Sequence, residues 1–504
     1  MQSQMLDMLG VAINTIADPY NFLLLIAGTA IGVVMGMLPG LGGTVTLALL
    51  IPITFGMDPL VAFMLLVAAN GGTSQGGAVT AILLNTPGKA PNAATLLDGY
   101  PMARQGRGGE AVGASLAASA LGAIAGLSVL VVSIPIMVQI VLLFGPPEIF
   151  WLGVWGLTVI AIVVGDSLRT GLVSAGLGLL FAMHGVNEVT AGVRWTYGIP
   201  TLLDGVQLVP ALIGLFAVSE MLNLVTRGET IAQGSGEDDG VEIGSDKWKG
   251  VMAVVKHKWI FLRSAVIGTV IGAIPGVGGT AANYVAYFQA VQTSSHSERF
   301  GTGDVRGVIA SEAANDAKEG GAYIPTLGFG IPGSSSMAIL FGAFLLHGIT
   351  PGPLLLQDHL DVVMVIIVSA LVSNVVSSAL VLVVAEKLVA VTKLDIRLLA
   401  PIVIAVAFLA SYALKNDIFA IWITLVFGVL GFLMIYAEMS RIPMVLGLVL
   451  GPIVEQNFFR SLMLSSGDAA IFVRSPITWA LIGLSLLSLF LPYIRGKLST
   501  GDLV

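Results

Sequence analysis

The chain has 504 residues, 56% of them hydrophobic and only 11% charged, with a mean hydropathy of +0.93, whereas soluble domains carry about 25% charged residues. That composition belongs to an integral membrane protein, and the formal net charge of −7, with no basic aromatic surface, excludes nucleic acid as a partner. With no cysteine, the chain can have no disulfide framework, thiolate metal site or cysteine nucleophile.

The first 20 residues contain Asp7 and Asp18 but no Lys or Arg. They lack the basic start of a cleaved signal peptide, so the N-terminus is expected to be retained. Apolar stretches follow at 21–38, 45–69, 111–144, 150–165, 171–184 and 208–225, then at 259–274, 322–346, 361–385, 398–411, 418–437, 441–454 and 477–494. A bilayer core needs about 20 helical residues, and several of these stretches are too short, or too rich in Gly and Pro, to be simple spans. The expected fold is therefore all-α and polytopic, with about 10–12 transmembrane crossings plus broken or re-entrant helices. The stretch DGYPMARQGRGGEA (98–111) reads as an extramembrane turn. Residues 227–258 are polar, acids first and then Lys247, Lys249, Lys256 and Lys258. They read as a cytoplasmic linker between an N-terminal membrane repeat, 1–226, and a C-terminal one, 259–504, that carries additional C-terminal helices.

Two motifs recur in the same order in both halves. IGVVMGMLPGLGGT (31–44) aligns with IGTVIGAIPGVGGT (267–280) at a constant offset of 236 (275 − 39). NGGTSQGGAVTAILLNTPG (70–88) aligns with NDAKEGGAYIPTLGFGIPG (315–333) at an offset of 245 (315 − 70). An internal duplication of this kind marks secondary transporter folds, whose inverted-topology repeats meet near the bilayer midplane. A helix broken within the membrane is tolerated only where its freed backbone groups line a cavity or meet a polar ligand. A helix starting just after PGxGGT aims its open N–H groups and positive dipole end at whatever lies beside the glycines, with Thr44 or Thr280 as its cap. That environment suits an anion. For GVVMG (32–36) and GTVIG (268–272), close packing between helices is the simpler reading.

The candidate substrate-binding residues are accordingly Gly40, Gly42, Gly43 and Thr44, their counterparts Gly276, Gly278, Gly279 and Thr280, and the second breaks, Asn85, Thr86, Pro87, Gly88 and Lys89 with Pro332, Gly333, Ser334, Ser335 and Ser336. Lys89 either answers an anion's charge or snorkels to the interface. Glu312, Asn315, Asp316 and Glu319 share one helical face. Asn70, Asn315, Asp316 and Glu312 are the candidates for a coupling cation, the alternative being a solvated amphipathic helix that includes Arg306 and Lys318. The five histidines, at 184, 257, 296, 347 and 359, show no ligand spacing, so neither a structural metal nor a cofactor is expected. No GxxxxGK[ST] occurs, which excludes a nucleotide P-loop.

Three stretches, GMLPGLGGTVTLALLIP, ILLNTPG with DGYPMARQGRGGEA downstream, and SEAANDAKEGGAYIPTLGFGIPGSSSMAILFGAFLLHGITPGP, resemble the large membrane subunit of tripartite tricarboxylate transporters, the TctA family. The resemblance implies a carboxylate carrier of the bacterial inner membrane, driven by a sodium or proton gradient. It also implies two partners, a small membrane subunit and a periplasmic solute-binding protein, and is compatible with a homo-oligomer. Lys89 and Ser74-Gln75 depart from the family pattern and bear on substrate choice. Two rival classes remain, a passive anion channel and an intramembrane serine hydrolase using GIPGSSS with His347. Duplication argues against the hydrolase, because a catalytic dyad has no need of a second PGxGGT.

Overall fold

The computed structural model describes residues 2–38, 40–163, 168–187, 189–227, 246–275, 278–352, 354–388, 396–414 and 416–499. Pro39, Gly276 and residues 228–245 of the expected linker lie outside them. The first half runs α1 (Gln2–Ala17), α2 (Pro19–Met37), α3 (Gly43–Leu50), α4 (Pro59–Leu84), α5 (Ala93–Met102), α6 (Gly108–Val141), α7 (Pro146–Val163) and α8 (Leu168–Ala182). A small antiparallel pair, β1 (Gly185–Val186) with β2 (Val193–Arg194), precedes α9 (Leu208–Ile213), which continues through one π turn into α10 (Ser219–Arg227). The second half comprises α11 (Lys247–Lys256), α12 (Lys258–Gly272), α13 (Gly278–Gln292), α14 (Val305–Phe329), α15 (Ser335–Leu346), α16 (Leu355–Asp358), α17 (Leu360–Leu388), α18 (Ile396–Ala413), α19 (Ile418–Tyr436), α20 (Ile442–Leu464) and α21 (Pro476–Ser499).

Local chemistry explains several helix starts. Asp18 and Asp58 each precede a proline, whose fixed φ and missing N–H suit the first helical position. Their carboxylates accept the open backbone N–H groups of Tyr20, Asn21 and Leu60. Asp304 and Asp417 cap α14 and α19 in the same way.

Among the described residues, six helical runs are long and apolar enough to cross a membrane, including Pro19–Met37, Ala90–Val141 and Ile442–Leu464, and shorter apolar helices accompany them. Large apolar side chains such as Val132 and Val383 lie 71% and 81% exposed, a surface that suits lipid and not water. The fold is an all-α polytopic membrane protein.

Two apolar stretches are divided. Residues 45–69 split into α3 and α4, and 322–346 into the end of α14 and α15. The stretch 98–111 holds the end of α5, a sharp bend at Gly106, where φ is +74°, and the start of α6. Asp98 on α5 accepts the backbone N–H groups of Gly301, Gly303 and Asp304 at 2.8–2.9 Å, tying the first half to the second. Residues 247–256 of the expected linker are helical and pack on α6, where a Cβ on Gly250 would lie 2.0 Å from the Glu110 carbonyl.

The duplicated motifs make the same helix–helix contact twice. A Cβ on Gly32 of α2 would lie 2.0 Å from the Ala69 carbonyl of α4, and one on Gly268 of α12 would lie 2.4 Å from the Ala314 carbonyl of α14. The next pair repeats it: Gly36 against Thr73 O at 2.3 Å, Gly272 against Lys318 O at 2.2 Å. The offsets are those of the sequence, 236 (268 − 32) and 245 (314 − 69). GVVMG and GTVIG are thus close-packing surfaces, where glycine alone lets two backbones approach. The pairs then interlock, α4 packing on α17 and α14 on α6.

Candidate functional site

The first break follows Leu38. Gly40 takes φ +83°, a conformation glycine adopts without steric cost, and Gly42 precedes α3 as its N-cap. Thr44 therefore does not cap α3; it sits inside the first turn, as Thr280 does in α13. The second pair of breaks follows α4 and α14. Each helix ends on a left-handed residue, Asn85 (φ 55°) and Gly330 (φ 70°), again 245 apart (330 − 85).

The four breaks converge on one cavity of about 910 Å3. Its walls include Gly40, Gly42, Gly43 and Thr44 from the first break and Pro87, Gly88 and Lys89 from the second. Gly278, Gly279 and Thr280 come from the third, and Pro332, Ser334, Ser335 and Ser336 from the fourth. Asn85, Thr86 and Gly333 do not line it. Asn85 is exposed and caps α4, the Thr86 hydroxyl donates to the Leu84 carbonyl, and Gly333 packs against α14, its would-be Cβ 2.6 Å from Ala322 O.

The halves exchange neighbours across this cavity. A Cβ on Gly43 would meet Asn70 Oδ1 at 2.4 Å and Ser336 Oγ at 3.0 Å, while one on Gly279 would meet Lys318 Cε at 2.7 Å and Pro91 Cγ at 2.9 Å. Ser336 and Pro91 are equivalent by the 245-residue offset (336 − 91). Each PGxGGT break therefore abuts the second break of the opposite half.

Charge and dipoles act together here. The N-termini of α3, α13 and α15 open on the cavity, each turning the N–H end of its first turn and a positive dipole end toward it. Ser334 satisfies one such donor in α15, its Oγ accepting from Met337 N at 3.3 Å. Two lysines join them. Lys89 Nζ donates to Thr73 Oγ1 and Ser74 Oγ at 3.2 Å each, and buried Lys318 is ion-paired with Glu319. Three helix N-termini with two ammonium groups can hold a small polyanion without further protein charge.

Behind the cavity lies a buried polar layer. Asn70, Glu312, Asn315 and Asp316 are all buried, which removes the solvated-helix reading of 304–319. Both Glu312 oxygens are bonded, by Asn92, Thr95, Ser119 and Asn315. Asp316 accepts from Gln75 Nε2 at 3.1 Å, and the same amide donates to Asn374 Oδ1 at 2.9 Å. A small void of about 20 Å3 is lined by Asn70, Asp316, Glu319, Tyr323 and Asn374.

Lys318, Glu319 and Asn374 are absent from the candidate site read from sequence. By sequence alone, the charge of Lys318 reads as part of a solvated face. The signal was available, since Lys318 aligns with Thr73 (318 − 73 is 245), on the face that carries Asn70. Asn374 on α17 falls in neither duplicated motif. The hydrolase reading meets a geometric obstacle: Ser336 and His347 lie at opposite ends of α15, about 16 Å apart at 1.5 Å per residue. His347 Nε2 contacts Thr54 Oγ1 instead, at 3.1 Å.

Residues 22–446 match the family described as Tripartite tricarboxylate transporter TctA family. An Agrobacterium vitis protein, described as an uncharacterized 52.8 kDa protein in the TAR-I ttuC' 3'region, is 32% identical over 492 residues, 97% of each chain. A second from Agrobacterium vitis, described as an uncharacterized protein in the TAR-II ttuC' 3'region, is 34% identical over 233 residues, 46% of this chain and 96% of the relative. No solved structure matches.

Proposed function

Because the chain belongs to the tripartite tricarboxylate transporter TctA family, a family of membrane transporter subunits and not of enzymes, we propose that it imports small di- or tricarboxylates as a cation-coupled secondary carrier. It is a multi-pass protein of the bacterial inner membrane. On this reading a periplasmic solute-binding protein delivers the substrate and a small membrane subunit completes the assembly. A sodium or proton gradient drives import.

The observation that carries the proposal is the cavity of about 910 Å3 between the four helix breaks, with three helix N-termini and two lysines around it. Its charge matches a carboxylate-bearing ligand, and its position between the halves matches a site that alternating access exposes to each side in turn. The exchanged neighbours of Gly43 and Gly279 support a pseudo-twofold relation between the repeats. We take that axis to lie in the membrane plane, making the repeats inverted.

Counterflow in proteoliposomes containing the chain and its two partners tests the carrier. Labelled tricarboxylate should accumulate against unlabelled tricarboxylate, and uptake should stop when ion gradients collapse with ATP kept high. Equilibration without accumulation would make the protein a channel. The inverted arrangement is tested with single cysteines at Gln2 and Gly240 in this cysteine-free chain. Labelling of both from the same side would overturn it.

A further inference from the structure

The large cavity and the small void are joined by one ion pair between adjacent residues of α14. Lys318 lines the cavity and Glu319 lines the void, and the two side chains are bonded to each other. A void of about 20 Å3 has room for one water-sized occupant. Its surroundings leave acceptors unused: Asn70 Oδ1, on a residue 6% exposed, and Glu319 Oε2 have no hydrogen-bond partner among the described residues. A buried oxygen left without a donor is costly unless something answers it. The charge is unbalanced in the same direction. By formal count the buried layer and the cavity wall bring together three acids, Glu312, Asp316 and Glu319, and two bases, Lys89 and Lys318. One monovalent cation restores neutrality. An amide oxygen such as Asn70 Oδ1 coordinates a hard cation readily but does not hold a proton at neutral pH, so the donor set favours an alkali ion.

We propose that sodium binds in this void through Asn70, Asp316 and Glu319 and, by taking over the charge of Glu319, releases Lys318 to receive a substrate carboxylate in the large cavity. Without sodium, Lys318 is held by Glu319 and the substrate must compete with that carboxylate for it. With sodium, Glu319 is neutralised in place and the ammonium is free to turn toward the cavity. The two ligands then favour each other's binding without touching, and by linkage the substrate raises sodium affinity by the same factor. This inference rests on the carrier reading for the identity of the anion; the sodium site does not.

The test uses the purified full chain in detergent, with sodium chloride, choline chloride and citrate as probes at constant ionic strength. In the absence of citrate, sodium should raise the unfolding temperature of the wild type relative to choline, and Asn70→Ala, Asp316→Asn and Glu319→Gln should each abolish the difference. No sodium shift in the wild type overturns the site, whatever citrate does. A shift that follows pH and ignores sodium also overturns it, in favour of a proton. For the switch, sodium should tighten citrate binding to the wild type by tenfold or more, within the roughly 5- to 150-fold range of coupled sites. Glu319→Gln, nearly isosteric and already neutral, should bind citrate with less than a twofold sodium effect, and Lys318→Met should bind it weakly in both salts. A Glu319→Gln variant that keeps the full sodium effect overturns the switch. If neither citrate nor other di- and tricarboxylates bind while the sodium shift persists, the carrier reading fails and the cation site stands.

Discussion

Replacing Lys89 by Met removes one positive charge from the large cavity and keeps an unbranched stem of similar length. Lys89 matters because its described hydrogen bonds go only to neutral hydroxyls, Thr73 Oγ1 and Ser74 Oγ at 3.2 Å each, whereas Lys318 is already ion-paired with Glu319. Its charge is therefore available to an incoming carboxylate. A hydrogen bond to a charged group contributes about 1.5–3 kcal/mol net, so Lys89→Met should weaken carboxylate binding roughly 10- to 150-fold. The bare Coulomb term at 4 Å brackets this estimate, at about 1 kcal/mol in water and about 4 kcal/mol at an effective dielectric of 20. Titration calorimetry of the purified chain with citrate and succinate measures the loss, and thermal unfolding controls for the fold. Lys89→Arg should retain most of the affinity because it keeps the charge. An unchanged dissociation constant in a folded Lys89→Met variant would refute the reasoning. It would leave Lys89 as a packing residue whose Cγ lies 3.0 Å from where a Gly42 Cβ would stand.

Gly32→Ala and Gly268→Ala should destabilise the protein to a similar degree, by about 1–3 kcal/mol or more, since each new Cβ would lie within 2.4 Å of a carbonyl oxygen on the partner helix. Gly10→Ala, whose Cβ meets nothing within 4 Å, should instead stabilise α1 by about 0.5–1 kcal/mol; denaturation in detergent compares the three, and equal effects would undo the packing account. Glu312→Gln should lower the unfolding temperature, because a carboxylate bonded by four donors loses an acceptor where donors already point, at about 1–3 kcal/mol. It should leave the sodium-induced shift intact, and loss of that shift would place Glu312 in the cation site. At Asp304, which caps α14 outside the apolar spans, burial pushes the carboxyl up, but the Arg306 hydrogen bonds and charge outweigh it and hold the group below the usual carboxylate range. Its stabilisation is therefore present above about pH 4 and lost as pH falls through the lower folded value. The unfolding temperatures of wild type and Asp304→Asn should thus differ at neutral pH and converge in acid, and a constant gap would show that Asp304 does not titrate as argued.

Some of this protein follows from the sequence alone because the cause is local or repetitive. Apolar length and scarce charge set the solvent, and the runs Asp18-Pro19 and Asp58-Pro59 set helix starts through bonds made within three residues. The four breaks were legible because glycine and proline disrupt a helix wherever they stand, and the offsets of 236 and 245 carried one half's reading over to the other. What the breaks face was decided only by the tertiary structure. Whether Asn85 lines a cavity or caps α4 depends on a backbone turn that NTPG permits but does not dictate. Glu312, Asp316 and Glu319 read alike on one helical face, yet α4, α5, α6 and α17 give each different partners. Glu312 is saturated by side chains from three other segments, Asp316 is bonded by Gln75, and Glu319 pairs with Lys318 beside a void. Helical periodicity fixes which residues share a face, and packing between segments hundreds of residues apart fixes what that face meets. Lys318 shows the difference: its charge suggested water until α14 closed against α12 and α6 and left its ammonium at the wall of the cavity.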